Sequence, residues 1–226
     1  MYKILVVEDD MDINNLLKEI LHQEGYEVIQ AFTGADGLSR LSEKVDVVLL
    51  DLMMPVLDGE TMIGKMREAG FQEPILVISA KIDRETRYRV LEIGADDFIT
   101  KPFDNRDVLS RVKANIRRYR EFSDLPGNTS VKAKNLEYIE GENRFILSGE
   151  ELKLTPIEHE ILKTLLKNPN KIFSKENLYR CAWKDDYIYE ADTVNAHISN
   201  LRNKLKKWDE EDYIETIWGM GYRLKK

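Results

Sequence analysis

Three short runs of uninterrupted apolar residues constrain this chain more than any other feature: Ile4-Leu5-Val6-Val7, Val47-Val48-Leu49-Leu50 and Ile75-Leu76-Val77-Ile78. A strand with one wet face alternates apolar and polar residues. Continuous runs rich in β-branched residues mark strands buried on both faces, as in a parallel sheet. Weaker runs at Tyr26–Ile29 and Phe98-Ile99 bring the expected strands to five. Between the first two, Ile13, Leu16, Leu17, Ile20 and Leu21 keep helical spacing and Gly25 supplies a stop. Helical patterns also fit 34–42, 59–68, 83–93 and 105–119. Strands alternating with helices make a doubly wound α/β fold, in which ligands sit at the carboxyl ends of the strands.

The second half reads differently. Strand-like segments Lys134–Ile139 and Arg144–Leu147 flank the turn signal Glu140-Gly141-Glu142-Asn143, predicting a small antiparallel sheet. Thr155-Pro156-Ile157-Glu158 then opens a helix as N-cap, Pro at N1 and Glu at N3, with Ile157, Ile161, Leu162, Leu165 and Leu166 on one face. A second helix starts at Ser174. A third runs from about Asp192 to Lys207, and Tyr213–Trp218, Gly219-Met220-Gly221 and Tyr222–Leu224 read as a closing hairpin. The polar Pro-Gly stretch around Ser123–Ser130 separates the halves, giving domains at 1–121 and 131–226 joined by a linker at 122–130.

Of 226 residues, 34 are Lys or Arg and 41 Asp or Glu; the net charge is −7, most of it within residues 1–121. That balance excludes a disordered polyelectrolyte. The one cysteine, Cys181, forms neither an intrachain disulfide nor a Cys-rich zinc site, which favours the cell interior. The longest apolar stretch, Val45 to Leu57, is interrupted by Asp46, Asp51 and Pro55 and falls short of the roughly 20 residues that span a bilayer. The opening Met-Tyr-Lys-Ile-Leu-Val-Val turns acidic at Glu8, unlike an export signal. A cytoplasmic protein without a membrane partner is expected.

The chemistry should lie at the strand ends, where Glu8-Asp9, Asp51, Ser79 and Lys101-Pro102 follow successive strands. Carboxylates crowded on one rim resist ionising unless a cation compensates. Mg²⁺ prefers oxygen ligands, commonly one or two carboxylates plus a phosphate, which Glu8, Asp9 and Asp51 could provide. A carboxylate can also attack phosphorus to give an aspartyl phosphate while Mg²⁺ and a lysine neutralise the equatorial oxygens. Asp51 would then be the nucleophile and Lys101 the clamp.

These residues carry a resemblance. Residues 1–121 resemble the receiver domain of two-component response regulators, with its flavodoxin-like fold, through Val6-Val7-Glu8-Asp9-Asp10, Asp51-Leu52-Met53-Met54-Pro55 with Asp58-Gly59, Ser79-Ala80, and Gly94-Ala95-Asp96-Asp97-Phe98-Ile99-Thr100-Lys101-Pro102-Phe103. The resemblance implies Asp51 as phosphoacceptor, with Mg²⁺ held by Glu8, Asp9, Asp51 and the Met53 carbonyl. It also implies Ser79 as the hydroxyl that moves onto the phosphoryl group and Phe98 as an aromatic switch. In the OmpR/PhoB-like subfamily, charges pair across a symmetric dimer; the corresponding pairs here are Arg87 with Asp107, Asp97 with Arg111, and Asp96 with Arg118. A solvated charged face is the alternative.

In the third helix of the second half, Val194, Ile198, Leu201 and Leu205 form an apolar stripe, and projection at 100° per residue puts Ala196, Ser199, Asn200, Asn203 and Lys207 opposite. Arg202, Lys204, Lys206 and Lys207 crowd its later turns, suited to phosphate contact or to the helix dipole. Residues 131–226 resemble the α+β winged helix-turn-helix effector domain of the same subfamily through Leu154-Thr155-Pro156-Ile157-Glu158, the run Thr193 to Leu205, and Gly219-Met220-Gly221-Tyr222-Arg223-Leu224. That resemblance implies double-stranded promoter DNA as ligand. His197 and Arg202 would touch phosphates, and Ala196, Ser199, Asn200 and Asn203 would face base edges, Asn200 reading an adenine. Thr193, Asn195, Lys206, Tyr222 and Arg223 complete the expected contacts. Trp218 stands where relatives often carry a minor-groove arginine, and either stacks on a sugar or packs inward. The loop Lys184–Ala191 occupies the position at which related proteins contact RNA polymerase.

The expected function is therefore a transcription regulator phosphorylated on Asp51 by a sensor histidine kinase. It would dimerise through its first domain, bind tandem half-sites, and act on no substrate but itself. A phosphorylation-controlled protein-interaction module and a Mg²⁺-dependent phosphohydrolase are the competing readings.

Overall fold

The computed structural model describes residues 1–80, 83–121, 130–183 and 191–225; the side chains of Arg84, 118–121 and Ala191 lie outside the description. The chain divides into two compact units, Met1–Ile116 and Arg117–Lys226. The expected linker, but for Ser130, falls outside the described residues.

The first unit alternates β1 (Lys3–Val7), α1 (Met11–Gln23), β2 (Glu27–Ala31), α2 (Gly34–Arg40), β3 (Val47–Asp51), α3 (Gly59–Glu68), β4 (Ile75–Ser79), α4 (Arg84–Glu92), β5 (Asp97–Thr100) and α5 (Asn105–Glu121), whose residues from Arg117 onward fall past its boundary. Its five strands are parallel, in the order β2-β1-β3-β4-β5. The continuous apolar runs are buried along their whole length, as a sheet covered on both faces requires. Ile4, Val6, Leu49, Leu76 and Ile78 pack with Leu17 and Leu21 of α1 and Val108 and Val112 of α5. On the opposite face Val7 meets α2 and α3 so closely that a Cβ on Gly37 would lie 2.9 Å from Val7 and 2.8 Å from Met62.

Side chains of Asp10, Thr33, Asp58 and Asp83 cap α1, α2, α3 and α4 by accepting backbone N–H groups of the first turn. The helix expected over 34–42 ends at Arg40 and tightens into a 3₁₀ turn, Leu41–Glu43.

The second unit opens with an antiparallel sheet of β6 (Ser130–Ala133), β7 (Leu136–Ile139), β8 (Arg144–Leu147) and β9 (Glu150–Glu151). The segment read as one strand from Lys134 begins instead with a tight turn, Lys134 standing at φ +53°. The partly exposed edge strand β6 precedes it, too short and polar to register as apolar periodicity. Helices α6 (Pro156–Lys167), α7 (Lys175–Trp183) and α8 (Ala191–Lys206) follow, then the hairpin β10 (Ile214–Ile217) and β11 (Gly221–Leu224). The Thr155 N–H donates to Glu158 Oε2 at 2.8 Å, one arm of the expected capping box. One core joins Tyr138 and Phe145 of the sheet, Ile161 and Leu165 of α6, Trp183 of α7, Ile198 and Leu201 of α8, and Tyr222 of the hairpin. Trp183 stacks on Tyr179 with ring centroids 4.6 Å apart.

Candidate functional site

Strand register assembles the acidic site. Val7 lies opposite Leu50, Asp51 opposite Ile78, and Ser79 opposite Thr100, so Glu8, Asp51, Ser79 and Lys101 emerge side by side at the carboxyl ends of four strands. Lys101 Nζ donates to Glu8 Oε2 and to Asp51 Oδ2, each at 2.7 Å. Oxygens of Glu8, Asp9 and Asp51 lie within 4.8 Å of one another, Glu8 and Asp51 buried and Asp9 exposed. The Met53 N–H donates to Asp51 Oδ1 at 3.1 Å, which brings the Met53 backbone beside the cluster. Gly59 passes so close beneath that a Cβ there would stand 2.4 Å from the Asp51 carbonyl oxygen.

Burial pushes the Glu8 carboxyl well above the ordinary carboxylate range, Asp51 adds to that, and Lys101 opposes it. Burial lowers the Lys101 ammonium, but its hydrogen bonds to Asp51 and Glu8 outweigh this and leave it raised. One lysine serves two carboxylates and Glu8 still resists ionisation, so the donor set is short of positive charge. An all-oxygen cluster with an exposed member suits a hard divalent cation that keeps part of its water shell. Beside it, Ser79 Oγ is fully buried and has no hydrogen-bond partner among the described residues. A buried hydroxyl without a partner is costly and stands ready for an acceptor.

In the second unit, α8 and the hairpin are bound together. Arg202 Nε and Nη2 both donate to the Ile214 carbonyl oxygen, at 3.1 and 2.9 Å, and Nη2 donates to Thr216 Oγ1 at 2.8 Å. The Tyr222 hydroxyl donates to Asn195 Oδ1 at 2.8 Å. Tyr222 also exchanges backbone hydrogen bonds with Phe173, at 2.8 and 2.9 Å. Gly221, at φ +134°, passes so near this bridge that a Cβ would lie 2.0 Å from the Phe173 carbonyl oxygen.

Residues 4–113 match the response regulator receiver domain, and residues 149–224 match the family described as transcriptional regulatory protein, C terminal. The transcriptional regulatory protein SrrA of Staphylococcus aureus is 36% identical over 99% of this chain and 95% of its own length. The chain belongs to the OmpR/PhoB-type response regulators. Among solved structures, DrrB, a Thermotoga maritima OmpR/PhoB homologue, is 30% identical, with TM-score 0.52 over the full length of both chains. A RitR mutant shares the fold, with TM-score 0.79 over 100% of this chain and 99% of that one, at 23% identity. This response regulator thus combines a receiver with a DNA-binding effector domain of the OmpR type.

The receiver holds its expected site residues together: Glu8, Asp9, Asp51, Ser79 and Lys101 share one rim, and Met53 adjoins it. The residues of the expected dimer face also make contacts within the chain. Asp96 is fully buried just before β5, where its Oδ2 accepts from Arg67 at 2.7 Å and from the Ile75 N–H at 2.9 Å. The side chain of Arg118 lies outside the described residues. Arg111 is held within its own chain, 2.8 Å from Asp97 and 2.8 Å from Asp107, and both charges keep its guanidinium protonated against burial. Arg87 lies over Phe98, its guanidinium carbon 3.6 Å from the ring centroid, and Phe98 itself is buried.

The expected DNA face also changes. Thr193, Ala196 and His197 are buried, and His197 packs edge-on against Trp183 at 5.3 Å. Helical projection puts Ala196 beside Asn203 and Lys207, but the early turns of α8 are enclosed and the later ones open, a difference along the axis that an angular projection does not see. Arg202 ties the hairpin to α8, and Lys204 donates to the Glu158 carboxylate at 2.6 Å. Asn195 and Tyr222 bind each other, and Arg223 pairs with Glu215 at 2.7 Å. The surface that remains comprises half-buried Ser199 and Asn200, exposed Asn203, Lys206 and Lys207, and the hairpin tip. Trp218 is 95% exposed there, which excludes inward packing. Lys184–Glu190, most of the expected RNA polymerase loop, lies outside the described residues.

Two features escaped sequence reasoning. Val56, fully exposed in the loop after β3, stands at φ +69°, a left-handed conformation that β-branched residues avoid. Arg89 of α4 forms a two-point pair with Glu60 of α3, at 2.6 and 2.8 Å, on the wall of a cleft that also includes Asp9, Met53 and Thr86. Neither has a signal in residue spacing.

Proposed function

We propose that a sensor histidine kinase phosphorylates this regulator on Asp51 and that the modification promotes receiver dimerisation and binding to tandem promoter half-sites in the cytoplasm. A carboxylate oxygen of Asp51 attacks the donor's phosphorus; the bond from phosphorus to the phosphohistidine nitrogen breaks, and its electron pair leaves with the imidazole. Glu8, Asp9, Asp51 and the Met53 carbonyl would hold Mg²⁺, which supplies charge neutralisation at the transferring group when bound. Lys101, already within 2.7 Å of Asp51, offers its ammonium to an equatorial oxygen. The observation that carries the reading is this junction of Lys101 with the two buried carboxylates next to an unpartnered Ser79 hydroxyl.

The new group brings a charge of about −1.5 to −2 and strong acceptor oxygens. A charge-assisted hydrogen bond from Ser79 contributes about 1.5–3 kcal/mol, enough to shift a two-state loop roughly tenfold to a hundredfold. As Ser79 moves, Phe98 turns into the vacated space and Arg87 loses its aromatic seat. Arg87, Asp97, Asp107 and Arg111 then become available to a second copy, whereas Asp96 stays in its buried pair. Apart from accepting and slowly hydrolysing its own phosphoryl group, the chain performs no turnover, and RNA polymerase is its further partner at promoters.

Sedimentation and genomic DNA selection with and without a phosphoryl donor test this. Phosphorylated wild type should dimerise and enrich directly repeated sites. Monomeric, unselective protein after stoichiometric phosphorylation would favour the protein-interaction reading.

A further inference from the structure

The hairpin tip Trp218-Gly219-Met220 is built unlike the rest of the DNA-facing surface. Trp218 is 95% exposed and Met220 57% exposed, and the tip contains no cation. The turn is tight: the Met220 N–H donates to the Ile217 carbonyl at 3.0 Å, and Gly219 takes φ +72°. Behind it the hairpin cannot swing freely, since Arg202, Tyr222 and the Phe173 bridge fix it to α8 and to the domain core. An indole presents on the order of 150–250 Å² of largely apolar surface, and leaving it in water on a rigid support is unfavourable unless a ligand covers it.

We infer that Trp218, with Met220 beside it, is an apolar wedge that enters the minor groove next to the α8 contact, partly unstacks one base step and bends the duplex. The inference rests on the DNA-binding reading and adds the chemistry of the tip. The occupant is DNA because Arg202 and Tyr222 hold the hairpin to α8, the helix that carries Ser199, Asn200 and Asn203. Apolar side chains inserted between base steps kink duplexes toward the major groove, and aromatic stacking tolerates any base. Such a wedge favours flexible pyrimidine–purine steps through deformation and releases no counterion.

The test uses the full-length chain and a duplex recovered by genomic selection with wild type, comparing wild type, Trp218→Ala, Trp218→Phe and Trp218→Arg. Affinity is measured across a salt series, and bending by circularly permuted fragments. Because Trp218 is exposed, thermal melts should coincide for all four proteins. Trp218→Ala should weaken binding roughly tenfold to a hundredfold with an unchanged salt slope and a reduced bend, and Trp218→Phe should retain much of both. Trp218→Arg should steepen the salt slope by about 0.9 without restoring the bend. Wild-type affinity and bend in Trp218→Ala would overturn the wedge and reassign the tip to a protein partner. Failure of wild type to select any duplex would overturn the DNA-binding reading itself, and the wedge with it.

Discussion

The carboxyl edge of the receiver sheet and the α8–hairpin face of the effector domain are both places where charged residues gather, yet they handle charge in opposite ways. At the sheet edge, Glu8, Asp51 and Lys101 converge from separate strands and remain under-neutralised, so their charges are held for a ligand. On the effector face, Arg202, Lys204 and Arg223 are engaged by internal carbonyls and carboxylates, and the groups left facing solvent are small amides, two terminal lysines and an indole. Charge at a strand end thus marks chemistry, whereas charge on a helix that packs on two sides is as readily part of the scaffold.

The largest predicted effect bears on the first half of that contrast. Lys101→Ala should slow formation of the phosphoryl adduct at least about a hundredfold, the scale of removing one preorganised charge from a transition state; a rate near wild type in quench-flow labelling would make Lys101 structural. Gly221→Ala should destabilise the effector domain by about 2–4 kcal/mol, since its Cβ collides with backbone rather than a yielding side chain. An unchanged melting temperature would show the hairpin to be loosely seated.

The buried His159 provides a pH test of the scaffold. Burial pushes its imidazole from the ordinary 6.5 down to about 3, although its Nε2 lies 2.9 Å from the Asn143 carbonyl oxygen. The unfolded chain therefore binds the extra proton between those values. The His159 contribution to stability is complete above about pH 6.5 and is lost by roughly 1.4 kcal/mol per unit as the pH drops toward 3. His159→Gln should flatten that slope in urea titrations, and an unaltered slope would assign the acid loss elsewhere. Arg202→Ala should cost about 1–3 kcal/mol through loss of its bonds to the hairpin and weaken DNA binding with little change in salt dependence; a drop of about one in the salt slope would return Arg202 to phosphate contact. The smallest effect belongs to exposed Lys206, where Gln should lower the salt slope by about one and leave stability intact.

The receiver was legible almost throughout. Its runs Ile4–Val7, Val47–Leu50 and Ile75–Ile78 declare a doubly covered sheet, and in such a sheet the residue after each run has only one place to be, which is how Glu8, Asp51 and Ser79 could be located without coordinates. The effector face was less legible because its outcome depends on partners rather than on period. Nothing in the spacing of Ala196 or His197 says that the early turns of α8 are enclosed, and nothing in Arg202 or Asp96 says that a carbonyl or a half-buried arginine already holds them. The left-handed Val56 and the Arg89–Glu60 pair are likewise tertiary facts.

The measurement closest to the central claim is the intact mass of wild type and Asp51→Ala after exposure to acetyl phosphate with and without Mg²⁺. One phosphoryl group on wild type, only with Mg²⁺, and none on Asp51→Ala is the predicted result. An adduct of equal yield on Asp51→Ala, or none on wild type with Mg²⁺, would contradict the assignment of Asp51 as the phosphoacceptor.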